Sequence, residues 1–240
     1  MLNFSDANVE KNNVSSRSCN PNIPIMEETL KTKQCFKPGT MLYPLPAVLV
    51  GCGAGREDYN LITVAWTGIL CTEPPMCYIA VRPERHSYGL IEKYGEFSIN
   101  LITSALAKAT DWCGVKSGRD FDKFKECGLK ALPGVAVKAP VLAQSPLTLE
   151  CKVRQCLPLG SHHAFIADIV NVLADKKYMD AESGKFDLER AGLLVYEPGH
   201  YFETGKEIGH FGFSVRKRKR YFYSAVPRMV MLPLCTLRLP

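Results

Sequence analysis

Residues 80–97 read AVRPERHSYGLIEKYGEF, which sets Arg82, Arg85, His86 and Ser87 between an apolar run and a short helical pattern. Guanidiniums, a hydroxyl and the open N–H groups of a helix start are together what a phosphate requires. Ser87 is a good N-cap for a helix carrying Leu90 and Ile91, and Gly95 would end that helix. The helix dipole supplies only about 0.3–1 kcal/mol, so the arginines must provide most of the hold. The same residues also make an ordinary capped helix, with Arg82 and Arg85 paired to Glu84 or Glu92. The stretch alone does not decide between the two.

A second group lies in NLITVAWTGILCTEPP, residues 60–75. Here a strand ends on Trp66, and Thr67 and Gly68 follow. A Gly lets a flat ligand approach the backbone, and a Trp gives it an apolar edge. Asn60 offers both a donor and an acceptor. Trp is common in β cores, so Trp66 by itself reads first as core packing. GCGAG (51–55) lacks the spacing and following helix of a dinucleotide fingerprint, and no Walker-type loop occurs. His162 and His163 are adjacent on a strand and would point to opposite faces, so no metal site is expected.

These groups need a framework, and the framework reads as β. Apolar runs at PAVLVGCG (46–53), LITVAW (61–66), MCYIAV (76–81) and EFSINLI (96–102) are strands. In LTLECKVRQC (147–156), Leu147, Leu149, Cys151 and Val153 alternate with Thr148, Glu150, Lys152 and Arg154, the period of a half-buried antiparallel strand. HAFIADIVNVLAD (163–175) is apolar on both faces, so it is central or meets another subunit. SYGLIEKYG, SALAKATDWCG (104–114) and RDFDKFKECG (119–128) are helical, the last two closing on Gly. Many strands and few short helices predict a mainly β, barrel-like fold.

The net charge is +6, but Arg216, Lys217, Arg218, Lys219, Arg220, Arg228 and Arg238 all follow the last acid, Glu207. Removing those seven charges leaves about −1 for the rest, which excludes a nucleic-acid surface on the body. The ten cysteines form no CxxC pair, and no secretory signal opens the chain; reduced thiols in a cytoplasmic protein are expected. Pro227, Arg228 and Pro233 interrupt the apolar C-terminal stretch, which argues against a membrane anchor. Residues 1–35 read as a disordered extension, 36–219 as one domain, and 220–240 as a second extension.

Taken in order, NLITVAWTG, PP, AVRPERHSYGLI, EFSINL, SGRDFDKF (117–124), LPLGSHHAFIADIVNV (157–172) and GHFGFSVRKR (209–218) resemble the flavin reductase-like, FMN-binding split-barrel family, its flavoredoxin-type branch in particular. The resemblance spans about residues 36–219. It implies a split β-barrel with a six-stranded antiparallel core, a homodimer, and FMN near the subunit interface. It places Asn60, Trp66 and Thr67, with Gly68, beside the flavin ring, and Arg82, Arg85, His86 and Ser87 around its phosphate. Lys123 matches a position near the phosphate, His162 one that approaches the flavin, and Tyr196 an aromatic near the ring. The implied chemistry is hydride transfer from NADH or NADPH to flavin N5, with His162 donating a hydrogen bond and backbone N–H groups at Thr67 and Gly68 steadying charge. The alternatives are a flavoredoxin-type electron carrier served by a redox partner protein, and a non-catalytic flavin-binding protein.

Overall fold

The structure is a computed structural model that describes residues 32–34 and 36–215. Seven antiparallel strands form the main sheet: β2 (Val48–Cys52), β3 (Asn60–Val64), β4 (Thr67–Thr72), β5 (Pro75–Val81), β6 (Glu96–Leu101), β9 (Leu147–Pro158) and β10 (His163–Ala174), in the order β3-β2-β6-β9-β10-β5-β4. β3 and β4 sit at opposite ends of that order, yet only Ala65 and Trp66 separate them in sequence. The sheet must therefore curl until its ends meet, which makes a split barrel. Its interior confirms the closure: Val50, Ile62, Ile79, Phe97, Ile99 and Phe165, drawn from both ends of the sheet, share one core. Each is at most 6% exposed, and burying such a side chain contributes about 1.5–3 kcal/mol.

β2 and β3 are buried on their outer faces too. There Leu49 and Leu61 pack with Cys113 and Phe124 in a second core. Cys113 belongs to α2 (Ala107–Val115) and Phe124 to α3 (Lys123–Glu126). The same core takes Leu194 of β11 (Leu194–Glu197), which pairs with β1 (Leu45–Pro46) and with β12 (His200–Glu203) in a three-stranded sheet. A two-residue ladder of β7 (Ala131–Leu132) and β8 (Val141–Leu142) completes the strands.

The main sheet has one strand more than the six expected. TGILCT looks like the tail of a bend because Ile69 and Leu70 are consecutive apolars with no alternation, but it pairs with β5 through Thr67–Ile79, Gly68–Tyr78 and Ile69–Cys77. The expected helix 119–128 shrinks to α3, started by Asp122, whose side chain accepts from Phe124 N and Lys125 N. α2 does not close on Gly114 but runs on to Val115. Gly114 serves packing instead, since a Cβ there would lie 3.3 Å from Thr63 Cβ.

The polar face of β9 also departs from expectation. Thr148 and Glu150 are 4% and 0% exposed: Thr148 donates to Asn100 Oδ1 at 2.8 Å, and the segment 133–140 lies over Glu150. Glu150 accepts from Val135 N at 2.6 Å, Ala136 N at 3.1 Å and Asn171 Nδ2 at 2.6 Å. On β10, bulges next to Ala167 and around Val170 break the simple alternation. Residues 207–215 belong to a separate unit with a 3-10 turn at Phe213–Val215. The expected extension 220–240, the basic run from Arg216, and residues 1–31 lie outside the described residues. No helix among the described residues is long and apolar enough to cross a membrane.

Candidate functional site

The strand β5 ends at Val81, and residues 82–85 turn into α1 (His86–Tyr94). Arg85 takes the N-cap position with extended backbone, and no side chain caps the helix. The expectation that Ser87 is the cap is therefore corrected. Ser87 is the second helical residue, and its side chain points inward, 2% exposed, accepting from Asn60 Nδ2 at 2.8 Å. No acid stands in the first turn of α1, so its positive end is left for something else.

Asn60 opens β3 at 4% exposure and also contacts the buried thiol of Cys52 at 3.9 Å. A Cβ on Gly118 would collide with the Asn60 side chain, so the loop before α3 is pressed against it. Lys123, 3% exposed, enters from this side and donates to the Cys113 carbonyl at 2.7 Å. That is its one hydrogen bond, and no carboxylate pairs with it among the described residues. Burial, aided by Arg85, holds its ammonium pKa below the ordinary value, against an opposing pull from the nearby thiols. Burial pushes Cys52 up to about 12, so that thiol stays protonated.

The outer half of the site is looser. Arg82 pairs with Glu84 at 3.3 Å with both side chains well exposed, which stabilises little. Arg85 makes no ion pair among the described residues, and Glu92 accepts from Tyr88 instead. His86 is held neutral by burial and by the cations Arg119 and Lys123. The local ion-pair reading of the turn thus applies to Arg82 only.

Trp66 and His162 form the third part. Their rings are near parallel, 16° apart, with centroids at 6.2 Å. Trp66 is fixed by Ala80 N donating to its carbonyl at 2.8 Å, and Thr67 Oγ1 donates to Tyr78 O at 2.7 Å. His162 sits half-buried on the turn before β10, its Nδ1 3.0 Å from Ser161 Oγ. Burial, then Arg82 and Arg85, depress its pKa, which ties this part electrostatically to the turn. Thr67 N–H is already engaged by Ala65 O at 3.1 Å, so it cannot steady charge as expected. Gly68 lies against the Tyr78 ring, 3.1 Å from where a Cβ would stand.

The structure accordingly brings Asn60, Ser87, Lys123, Arg85 and His86 together, and joins Trp66, Thr67, Gly68, Arg82 and His162 along their flank. Tyr196 does not join them. It packs on Tyr201 in the second core, and its hydroxyl accepts from Gly199 N at 3.2 Å. Sequence reading missed Cys52 and Arg119: an apolar-looking thiol and an exposed arginine carry no signal until the fold places them beside Ser87 and His86.

A split barrel with a basic pocket at one strand end defines a class, and comparison supplies the family. The profile of the flavin reductase-like domain matches residues 40–205, and the chain belongs to that family. An uncharacterized protein of Pyrococcus abyssi is 30% identical over 54% of this chain and 74% of its own length. The flavoredoxin of Desulfovibrio vulgaris (Miyazaki F) superposes with a TM-score of 0.72 at 27% identity, covering 77% of this chain and all of that one. An FMN-binding protein from Thermus thermophilus, solved with bound 1-cyclohex-2-enone, gives 0.63 at 25% identity over 74% of this chain and 97% of its own.

Proposed function

We propose that the chain is an FMN-binding oxidoreductase of the flavin reductase type, working as a cytoplasmic homodimer. Buried Lys123 carries this reading: an ammonium with one carbonyl partner, beside an uncapped helix start, is incomplete without an anion. The donor set fits a phosphate monoester. Lys123, Arg85, the Ser87 hydroxyl and the first N–H groups of α1 would hold it, with Arg82 at the rim. Asn60 keeps the Ser87 hydroxyl in place through its amide hydrogen bond.

FMN, when bound, would supply redox chemistry linking NADH or NADPH to an acceptor or partner protein. Trp66 and His162 would flank its ring end. His162 is neutral at pH 7 and keeps one ring N–H to donate to the flavin or the nicotinamide amide. Two exposed apolar sets support the dimer. Edge strand β4 exposes Ile69 and Leu70 by 62% and 50%, and Val170 and Val172 on β10 are 41% and 52% exposed. Among the described residues, β10 also leaves 169–174 unpaired on its β5 side.

The test is titration with FMN and with riboflavin, which lacks the phosphate. The parent binds FMN at least tenfold more tightly, and Arg85→Ala or Ser87→Ala removes most of that margin. Equal affinities for the two flavins in the parent would end the phosphate reading. The likeness to flavoredoxin favours a second reading, a carrier reduced by a partner protein. Anaerobic mixing of the FMN-loaded protein with NADH and NADPH separates them: bleaching near 450 nm, the ordinary absorbance band of oxidised flavin, identifies the reductase, and an unchanged spectrum the carrier.

A further inference from the structure

We infer that Cys113 and Cys127 form a dithiol modification site, which a low-molecular-weight disulfide of the glutathione type converts into an internal disulfide that weakens the hold of Lys123 on its anion. The bridge stands by itself; its effect on the anion rests on the reading of the turn as a flavin-phosphate seat. The two sulfurs are 3.9 Å apart, in contact and unbridged. Cys113, on α2, has no exposed surface, and Cys127, the residue that ends α3, is half-buried beside it. One thiol within reach of a reagent, backed by one that is not, turns a mixed disulfide into an internal one.

The exchange runs in two steps. The Cys127 thiolate attacks the small disulfide, forms a mixed disulfide and expels one small thiol. The Cys113 thiolate then attacks the Cys127 sulfur and expels the second. The protein loses two electrons and two protons, and the small disulfide takes both to leave as two thiols. Dithiol and disulfide are both neutral, so burial opposes neither end state. It does oppose the thiolates between them: burial pushes Cys113 up to about 12 and raises Cys127, with Lys123 pulling both the other way. Exchange is therefore slow at pH 7 and quickens as pH rises.

A second pair of sulfurs lies closer still, Cys77 and Cys151 at 3.5 Å, but the sheet keeps it apart. β10 runs between their strands, which sets the two Cα atoms about 9–10 Å from each other, past the roughly 7 Å that a disulfide spans without backbone movement. Cys113 and Cys127 have no such strand spacing to overcome, and a helix of one turn holds its last residue weakly.

Lys123 is what gives this pair its consequence. Its Nζ donates to Cys113 O at 2.7 Å, and its own carbonyl accepts from Cys127 N at 3.2 Å. Each cysteine therefore holds one end of the lysine. Replacing a 3.9 Å contact by a bond of about 2.05 Å draws the two sulfurs about 2 Å together, and the ammonium must follow. By linkage, the factor that the bridge costs in phosphate affinity is the factor by which bound phosphate protects the dithiol.

The test incubates the full chain with oxidised glutathione, traps the remaining thiols with iodoacetamide, and maps the peptides by mass spectrometry. The peptides carrying Cys113 and Cys127 should be joined, and at least tenfold faster at pH 9 than at pH 7. The joined protein should bind FMN at least fivefold more weakly than the reduced one, while riboflavin affinity changes less than twofold. Cys127→Ser should abolish both the join and the loss of FMN affinity. Cys113→Ala should abolish the join and leave glutathione on Cys127. A parent that carries glutathione on Cys127 without the join, or that leaves both thiols free at pH 9, overturns the site. A join that moves FMN and riboflavin affinity together, or neither, overturns the effect on Lys123. Equal affinity of the reduced parent for the two flavins removes the phosphate seat instead, and joined peptides then still establish the dithiol.

Discussion

Glu150 and Lys123 are both buried charged side chains, and the fold treats them in opposite ways. Glu150 has no exposed surface and receives three hydrogen bonds, from Val135 N, Ala136 N and Asn171 Nδ2. Lys123 is 3% exposed and makes one, to a carbonyl. A buried carboxylate ringed by donors is complete, and here it clamps the segment 133–140 onto β9. A buried ammonium with a single acceptor is a standing cost, which the proposed phosphate would offset. The acid's acceptors are taken up, whereas the ammonium keeps N–H donors to spare.

The contrast can be broken most sharply at the acid. Glu150→Ala leaves two backbone N–H groups and an amide without an acceptor, and should lower the unfolding free energy by roughly 3 kcal/mol in urea titration. A loss below about 1 kcal/mol would show that the clamp is ornamental.

At the base the expected effect on stability is near zero or favourable. Lys123→Met keeps the volume and removes the uncompensated charge, so the ligand-free protein should hold its urea midpoint or gain about 1 kcal/mol. FMN affinity should fall by about 10–100-fold, the worth of one charge-assisted hydrogen bond of 1.5–3 kcal/mol. A destabilised variant that still binds FMN normally would make Lys123 a structural residue like Glu150.

The smallest effect is in pH. His86 and His162 both have native pKa values below the ordinary one, from burial first and then from neighbouring cations. The unfolded chain takes up these protons first, near pH 6.5, so stability falls as pH drops through that value and levels off below the native pKa values. A His86→Asn, His162→Asn double variant should lose less stability than the parent between pH 7 and pH 5. Parallel losses would mean that the cations around Arg85 do not press on these rings.

The strand ladder was legible because alternation reports burial: Leu149, Cys151 and Val153 do face the barrel interior. Edge strand β4 was hidden, since paired apolars at an exposed edge imitate a loop. Residue types located the turn, Trp66 and Lys123, but not what each one does. Ser87 looked like a cap because composition cannot tell a helix cap from the second helical residue. Tyr196 came only by resemblance, and the local packing with Tyr201 claims it. Cys52 gave no warning, because its place under Ser87 depends on pairing between β2 and β3.

The Ala65–Trp66 link has a mechanical consequence. Because two residues alone tie the first and last strands of the sheet, the slit in the barrel has almost no slack at that point. The indole is thus hinged to both lips of the slit. Any widening that admits a flat guest must swing it, and with it the imidazole lying parallel alongside.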